Sequence, residues 1–265
     1  MKIENVKIGT DFEVFLKNEK EAITAEGIIK GTKQRPFQFD PENKWYATSL
    51  DCVLAEANIP PTETPYDFYQ AIQKSINYIK SILPENHDIL ISASERLDKK
   101  YLKSATAKIL GCDPDYNCYT MQQNPRPKIK GENKDLRTAA GHVHVGYKNS
   151  DPYTNFEIIR AMDLFLGVPG VLQEPISERK KLYGKAGAMR HHDHGAEYRP
   201  ISNYYLASEN LTNWVFNSAM KAIDFLNEGN LDKLIQDEEF IVSAINENDE
   251  QKAKMLIEKY DLKLA

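Results

Sequence analysis

Three short segments of the chain place two ionisable residues two positions apart in a strand-like pattern. The pairs are Asp11 with Glu13, His142 with His144, and Glu197 with Arg199. Because side chains alternate between the two faces of a strand, both members of each pair point to the same face. The apolar residues beside the first two pairs, which point to the opposite face, are Phe12, Val14, Val143 and Val145. The fold must therefore accommodate strands with one apolar and one ionisable face.

The remaining periodicities indicate strands mixed with helices in irregular order. Alternating apolar residues predict strands at 6–16, 23–29, 47–59, 89–93 and 139–147. Apolar residues at three-to-four spacing predict helices at 65–83, at 152–166 and from 208 to the end, with a break at Gly229. Polar stretches at 31–45 and 113–131 are expected to be loops. This order favours an α+β fold with a mainly antiparallel sheet.

Length and composition limit the class of protein. The chain has 265 residues, which favours a single domain over 1–265 with a helical region at 208–265. Its formal net charge of -5 gives no general attraction for nucleic acid. The polar amino terminus and the lack of a long apolar run favour a cytoplasmic protein that does not enter the membrane. The cysteines expected to be structural thiols are Cys52, Cys112 and Cys118.

The acidic pair Asp11 and Glu13 needs a cation if its strand is buried. Two carboxylates a few ångströms apart raise each other's pKa, and their burial costs free energy unless a metal ion or a basic group lies between them. The alternative is an edge strand with a solvated acidic face. Asp51 and Glu56 form a second acidic pair, which by itself is weaker evidence for a site.

The segment from Gly141 to Gly146 places His142 and His144 on one face of a strand. Their separation of roughly 7 Å suits one metal ligand and one partner for a neighbouring ion or phosphate. Two core histidines, the alternative, would need many hydrogen-bond partners. The flanking glycines are expected to let a ligand approach the backbone closely.

A basic stretch that contains glycine leads into the third pair. Residues 179–199 hold six lysines and arginines against two acids, which indicates a site for an anion. The Tyr-Gly-Lys-Ala-Gly segment at 183–187 offers backbone donors and Lys185 to phosphate groups. A solvated loop is the expected location of three neighbouring imidazoles, those of His191, His192 and His194.

An exposed ion pair is the alternative interpretation of Glu197 and Arg199. Taken together, however, the segments supply carboxylates, an imidazole and several cations. This is the chemistry of nucleotide-dependent phosphoryl transfer with a divalent metal. Carboxylates hold Mg²⁺, the ion bridges the phosphates, and arginine stabilises the charge that develops.

The order of these segments resembles the carboxylate-amine ligase superfamily that contains glutamine synthetase and glutamate-cysteine ligase. There an acid-x-acid strand is followed by further acids, a His-x-His strand and a Glu-x-Arg strand. Four segments resemble more closely the small phage and bacterial phiEco32-like COOH-NH2 ligase type 2 family, over about residues 7–206. They are Gly-Thr-Asp-Phe-Glu at 9–13, Gly-His-Val-His-Val-Gly-Tyr at 141–147, Tyr-Gly-Lys-Ala-Gly at 183–187 and Glu-Tyr-Arg at 197–199.

The resemblance implies a glutamine synthetase-like catalytic fold, in which a curved antiparallel sheet with flanking helices holds ATP and Mg²⁺, or Mn²⁺ in its place. The implied metal ligands are Asp11, Glu13, Glu56, His142 and Glu197. Glu13 and Glu56 would share one ion with Asp51, and Asp11, His142 and Glu197 another. The implied nucleotide-binding residues are Lys185, Arg190, Arg199 and His144. The implied catalytic residues are Arg199, Arg190 and Glu197. Asp11 departs from the family, which often has glutamate there, and has a shorter reach.

We therefore expect an ATP- and Mg²⁺-dependent ligase that forms an amide or peptide bond through an acyl phosphate. Its partners would be small-molecule or peptide carboxylates and amines. A metal-dependent hydrolase of phosphoesters or amides is the alternative, because His-x-His strands and acids serve such sites too. An anion-binding or structural module is the non-enzymatic alternative.

Overall fold

The computed structural model describes residues 2–108, 114–127 and 131–265. A large sheet of 12 strands dominates the fold, beside a second sheet of two. The strands are β1 Lys7–Lys17, β2 Ala22–Ile23, β3 Gly31–Thr32, β4 Arg35–Gln38, β5 Ala47–Asp51, β6 Leu54–Asn58, β7 Asp88–Leu90, β8 Ser94–Arg96, β9 Tyr116–Asn117, β10 Gln122–Gln123, β11 Leu136–Thr138, β12 Gly141–Gly146, β13 Ala188–His192 and β14 Gly195–Tyr198.

The large sheet runs in the order β10-β9-β13-β14-β12-β1-β6-β5-β3-β4, and β2 and β7 also pair with β1. Among the described residues, every strand pairing is antiparallel except that of β3 with β5. The prediction of an α+β fold with a mainly antiparallel sheet is confirmed. Strands that carry the predicted motifs lie next to one another although they are far apart in sequence.

Strand β1 runs through the middle of the sheet and alternates as predicted. Phe12 and Val14 are fully buried in the apolar core, whereas Asp11 and Glu13 point to the other face. β12 pairs with one edge of β1 and β6 pairs with the other. The acidic pair therefore lies on a central strand, so the solvated edge strand proposed as its alternative is excluded.

Seven α-helices complete the described part of the chain: α1 Pro65–Ser81, α2 Pro152–Met162, α3 Val168–Gln173, α4 Glu209–Asn227, α5 Leu231–Gln236, α6 Glu238–Glu247 and α7 Glu250–Tyr260. Helix α1 begins where predicted, because the Thr64 side chain accepts a hydrogen bond from Asp67 N at 3.1 Å and Pro65 follows. α1 and α2 both pack against α4. Their apolar residues and those of β1 form one core, which leaves the ionisable face of β1 on the other side of the sheet.

Several predicted boundaries differ from the structure. The polar stretch at 31–45 contains β3 and β4, and the stretch at 113–131 contains β9 and β10. Both hairpins extend the sheet through backbone hydrogen bonds, which polar composition does not reveal. The strand predicted at 23–29 is wrong beyond Ile23, where the chain turns through Gly27 with a φ of 81°.

The regions predicted to be helical are helical, with several interruptions. Gly229, with a φ of 82°, separates α4 from α5 at the predicted break. The helix predicted at 152–166 ends at Met162 and continues as a π-helical turn, Asp163–Gly167. Cys52 and Cys118 are buried free thiols, and Cys112 lies outside the described residues. No helix in the described ranges is both long and apolar enough to span a membrane.

Candidate active site

The first group of ionisable side chains lies where β1, β6 and β5 run side by side. Glu13 on β1 is opposite Glu56 on β6, which is in turn opposite Ser49 on β5. Asp51 is the last residue of β5. One carboxylate oxygen from each of the three acids lies within 4.8 Å of the other two, and all three residues are buried. We call this set of Glu13, Asp51 and Glu56 the acidic cluster.

A lysine that sequence analysis did not single out enters the acidic cluster. Lys33 Nζ lies 2.7 Å from Asp51 Oδ2 and 3.6 Å from Glu56 Oε2. Lys33 belongs to the turn between β3 and β4, and the pairing of both strands with β5 carries it to the acids. Burial lowers the pKa of Lys33, but the three negative charges, that of Glu56 above all, outweigh burial and raise this pKa.

The acidic cluster is short of positive charge. Burial raises the pKa of Glu13 well above its usual value, and the neighbouring charge of Asp51 adds to the effect. Burial also raises the pKa of Glu56 to about 8, although Lys33 opposes the shift. Glu56 Oε2 accepts no hydrogen bond from any described residue. One ammonium group among three buried carboxylates, with an oxygen that lacks a donor, indicates a place for a further cation.

The second group of ionisable side chains lies on β1 and on the next two strands of the sheet, β12 and β14. Asp11 is opposite His142 in the ladder, and Asp11 Oδ1 lies 3.2 Å from His142 Nδ1. Glu197 on β14 reaches the same imidazole, with Oε1 at 3.5 Å from His142 Nδ1. The three residues offer ligand atoms within 4.8 Å of one another. These are the three residues that the resemblance assigns to one ion.

The charges of this second group depend on one another. Burial raises the pKa of Asp11, but His142 and His144 outweigh burial and hold the pKa well below its usual value. Burial and the positive charge of Arg199 lower the pKa of His142, while Asp11 opposes them. A neutral imidazole beside an ionised carboxylate is the protonation state that binds a metal ion.

Glu197 and Arg199 contact each other inside the protein. The Arg199 guanidinium donates a hydrogen bond to Glu197 Oε1. The Glu197 side chain is only 1% exposed and the Arg199 side chain only 11%. Burial raises the pKa of Glu197. Favourable interactions, of which that with the charge of Arg199 is the largest, outweigh burial, so the pKa is lowered overall. The interpretation of this pair as an exposed surface ion pair is wrong. Arg190 also approaches, with Nη1 3.8 Å from Glu197 Oε1.

The histidines after the basic stretch lie closer to the site than predicted. His191 and His192 belong to β13 rather than to a solvated loop. His192 Nε2 lies 2.7 Å from Glu197 Oε2, and its ring centroid is 5.3 Å from that of His144. His144 Nε2 is 2.9 Å from Asp11 Oδ1. Burial lowers the pKa of His144, but Asp11 outweighs burial and raises it to about 8.

Lys185 lies between two glycine turns and contacts both a cavity and helix α6. Lys185 lines the cavity described below, yet its Nζ donates a hydrogen bond to Asn246 O on α6 at 3.0 Å. Gly184 and Gly187 have φ values of 77° and 76°, so the chain turns sharply on both sides of Lys185. Gly187 N donates to Asp163 Oδ2 at 2.7 Å, which fixes the second turn.

The predicted approach of a ligand to Gly141 is wrong, because protein atoms fill that space. A Cβ atom built on Gly141 would lie 2.4 Å from Tyr205 Cε1 and 2.6 Å from Ser202 O. At Gly146 the nearest atom would be His194 O at 3.6 Å, which is ordinary contact. Gly141 is therefore needed for packing of the Tyr205 ring against β12.

A cavity of about 210 Å³ adjoins the acidic cluster. Its lining includes the acids Glu13 and Asp51, the bases Lys33, Arg137, Arg179 and Arg199, and Tyr183. Arg137 and Arg179 are buried and donate hydrogen bonds to backbone carbonyl groups. Both signs of charge therefore face the same small space.

Comparison with protein families supports the resemblance. Residues 136–261 match the family model Phage phiEco32-like COOH.NH2 ligase-type 2. The resemblance predicted from the sequence is confirmed over this segment, which is slightly less than half of the chain. The match includes β12, β13 and β14 and extends through the carboxy-terminal helices, whereas β1 and the acidic cluster lie outside it.

The chain is also similar to parts of larger solved ligase structures. One is a bifunctional glutathione synthetase from Pasteurella multocida, with 11% identity and a TM-score of 0.41 over 97% of this chain and 49% of that chain. Another is a glutamine synthetase from Plasmodium falciparum, with 10% identity and a TM-score of 0.38 over 83% of this chain and 52% of that chain. The chain spans about half the length of both. A sequence comparison with curated proteins gives no match.

Proposed function

We propose that the chain is an ATP- and Mg²⁺-dependent ligase that joins a carboxylate to an amine through an acyl phosphate. One observation carries the proposal: the acidic cluster, the Asp11-His142-Glu197 group and Arg199 adjoin one another on a single face of the sheet. The family match over residues 136–261 supports the same chemistry.

The acidic cluster has the composition of a Mg²⁺ site. Mg²⁺ prefers carboxylate oxygens, and Glu56 Oε2 is a buried oxygen with no donor among the described residues. We propose that Glu13, Asp51 and Glu56 hold one ion, and that Asp11, His142 and Glu197 hold another. When bound, these ions would neutralise the phosphate groups of ATP.

The arginines supply the fixed positive charge of the site. Arg199 and Arg190 would neutralise the charge that develops on the phosphoryl group during transfer. Arg199 is held in place for this task by Glu197 and by Asp115, whose Oδ2 lies 3.5 Å from Arg199 Nε. The assignment of Lys185 and His144 to nucleotide binding, which the family resemblance implies, stays a prediction.

The proposed reaction has two steps. A carboxylate oxygen of the substrate attacks the terminal phosphorus of ATP, and the bond from that phosphorus to the bridging oxygen breaks to release ADP. The amine nitrogen then attacks the acyl carbon, inorganic phosphate leaves with the bonding electrons, and the amine loses a proton. The cavity of about 210 Å³ beside Glu13 and Arg199 offers space for the carboxylate end of the substrate.

Isotope transfer tests this proposal directly. The protein is incubated with ATP, Mg²⁺, a pool of amines and ¹⁸O-labelled carboxylic acids, including amino acids and short peptides. An acyl phosphate leaves one labelled oxygen in the inorganic phosphate, which mass spectrometry detects together with the amide product. No ADP in any mixture, combined with no nucleotide binding by calorimetry, would contradict the proposal.

A pair of matched variants links the activity to the site. Glu13→Gln removes a carboxylate from the acidic cluster, whereas Glu63→Gln removes one that is 68% exposed and pairs with Lys7 at the surface. We expect product formation to be lost in the first variant and kept in the second. A metal-dependent hydrolase would instead release product from an ester or amide in buffer that contains Mg²⁺ and no nucleotide.

A further inference from the structure

Three side chains beside the proposed magnesium sites form a group with a different chemistry. His144, His192 and Glu197 each offer one ligand atom, and these atoms lie within 4.8 Å of one another. The group spans three neighbouring strands, because β12 and β13 both pair with β14. His144 is directly opposite Glu197 in the ladder between β12 and β14. The pairing of these three strands in the large sheet therefore fixes the positions of His144, His192 and Glu197.

Glu197 contacts His192 and Arg199 through different carboxylate oxygens. Its Oε1 accepts the hydrogen bond of Arg199 and lies near His142. Its Oε2 lies 2.7 Å from His192 Nε2. A carboxylate with two oxygens directed at two sets of partners can bridge two cations, so the two groups can be filled together.

The donor atoms favour a class of metal other than magnesium. Two imidazole nitrogens and one carboxylate oxygen suit borderline divalent transition metals such as Zn²⁺ or Co²⁺, whereas Mg²⁺ prefers oxygen ligands alone. The side chains of His144 and His192 are 20% and 33% exposed, which gives an ion access from solvent. His194 stacks on His192 with ring centroids 5.2 Å apart and adds a further imidazole at the rim.

We propose that His144, His192 and Glu197 bind a divalent transition-metal ion, at a site separate from the acidic cluster. This site does not depend on ligase activity, because its ligands and their geometry are independent of any nucleotide or substrate. His144 and His192 distinguish it from the two sites proposed for Mg²⁺, because Glu197 is the one ligand that it shares with them.

The test measures binding of Co²⁺ and Zn²⁺ alone to chelator-treated protein without nucleotide. Co²⁺ coordinated by imidazole develops visible absorption, and Zn²⁺ should displace it. We expect wild type to bind Co²⁺ in this way, and His192→Gln to bind at least about 10-fold more weakly. His144→Gln provides a second, independent removal of a ligand and should weaken binding similarly.

His191→Gln is the matched control, because His191 is adjacent on β13 but points away from the group. Its ring packs edge-on against Phe156 at 4.9 Å, and its Nδ1 lies 3.2 Å from Asn155 Nδ2. We expect this variant to bind Co²⁺ like wild type. Circular dichroism of each variant shows whether it is folded.

Three results would overturn the proposal. The first is unchanged Co²⁺ binding in folded His192→Gln and His144→Gln variants. The second is loss of binding in Glu13→Gln but not in His192→Gln, which would put the ion in the acidic cluster. The third is full displacement of Co²⁺ by Mg²⁺ at similar concentration, which would indicate oxygen ligands only. A protein that releases no ADP and binds no nucleotide, but binds Co²⁺ through His192, would contradict the ligase proposal and leave this one intact.

Discussion

Lys33 Nζ lies 2.7 Å from Asp51 Oδ2, inside a cluster of three buried carboxylates. The ammonium group thus contacts two of the three carboxylates to which the proposed function assigns a metal ion. It neutralises part of the negative charge in the absence of that ion. Lys33 should for the same reason compete with a divalent cation for the carboxylates.

Removal of this ammonium group should make stability depend on Mg²⁺. Lys33→Ala leaves the carboxylates without a counter-charge, so we expect the free energy of unfolding without Mg²⁺ to fall by on the order of 3 kcal/mol. Added Mg²⁺ should then stabilise the variant more than wild type, because no ammonium group competes. Urea unfolding with and without Mg²⁺ measures both effects.

Lys7→Ala is the control for this experiment. Lys7 pairs with Glu63 at the surface at 3.0 Å, with side chains 48% and 68% exposed. We expect a small change in stability and the Mg²⁺ response of wild type. An equal Mg²⁺ response in Lys33→Ala and Lys7→Ala would show that Lys33 does not share a site with the ion.

Arg199→Lys should impair catalysis more than binding of the nucleotide. Lysine keeps the charge but lacks the planar set of donors with which arginine contacts Glu197 and a phosphoryl group. We expect the rate of ADP release in the active substrate mixture to fall by roughly 10²- to 10³-fold. Steady-state kinetics with saturating ATP measures this rate.

Arg96→Lys is the matched substitution outside the site. Arg96 is 38% exposed and bonds Glu178 and Asp135 on the surface. The rate of ADP release should stay close to that of wild type. A similar loss of rate in both variants would contradict a specific role of Arg199.

Asp163 should make stability fall as pH rises. Burial raises the pKa of its carboxyl group to about 7, although Tyr198, Tyr119 and Gly187 N donate hydrogen bonds to it. In the unfolded chain the pKa is near the ordinary value of 3.8. Between these two values the folded state binds more protons, so the contribution of Asp163 is fully present below pH 3.8 and is lost as pH rises towards 7.

Comparison with Asp163→Asn isolates this contribution. The amide does not titrate, so its effect on the free energy of unfolding should not vary with pH. We expect wild type to lose stability relative to the variant by roughly 1.4 kcal/mol per pH unit within the window. Urea unfolding at pH 5, 6 and 7 gives the difference, and a constant difference would contradict the raised pKa.

The sequence predicted the central strands of the site well because their alternation is local. Phe12 and Val14 are apolar and Asp11 and Glu13 are ionisable, so the period of two assigns each residue to a face without knowledge of its partners. The grouping of Asp11 with His142 was available only through family resemblance. Their register is set by backbone pairing between strands more than a hundred residues apart.

Lys33 and His192 were missed for two different physical reasons. Lys33 lies in a polar stretch that has no apolar alternation, and only the pairing of β3 and β4 with β5 brings it to the acids. His192 follows a basic segment with glycines, a composition typical of loops. The period of two between Arg190 and His192 could have indicated a strand with both side chains on the face of Glu197.

Gly141→Ala should destabilise the protein through overpacking behind the site. The added methyl group would lie 2.4 Å from the Tyr205 ring and 2.6 Å from Ser202 O, and the backbone oxygen cannot move away alone. Tyr205 is fully buried and its hydroxyl lies 2.7 Å from Thr10 Oγ1 on β1, so the ring is also held. We expect the free energy of unfolding to fall by about 1–3 kcal/mol, measured by urea unfolding.

Gly146→Ala provides the comparison on the same strand. Its added methyl group would meet His194 O at 3.6 Å, and its backbone does not have a positive φ. The substitution should therefore change stability by less than the one at Gly141. Equal destabilisation by the two substitutions would mean that β12 resists any side chain at its glycines, rather than that the Tyr205 ring occupies the space over Gly141.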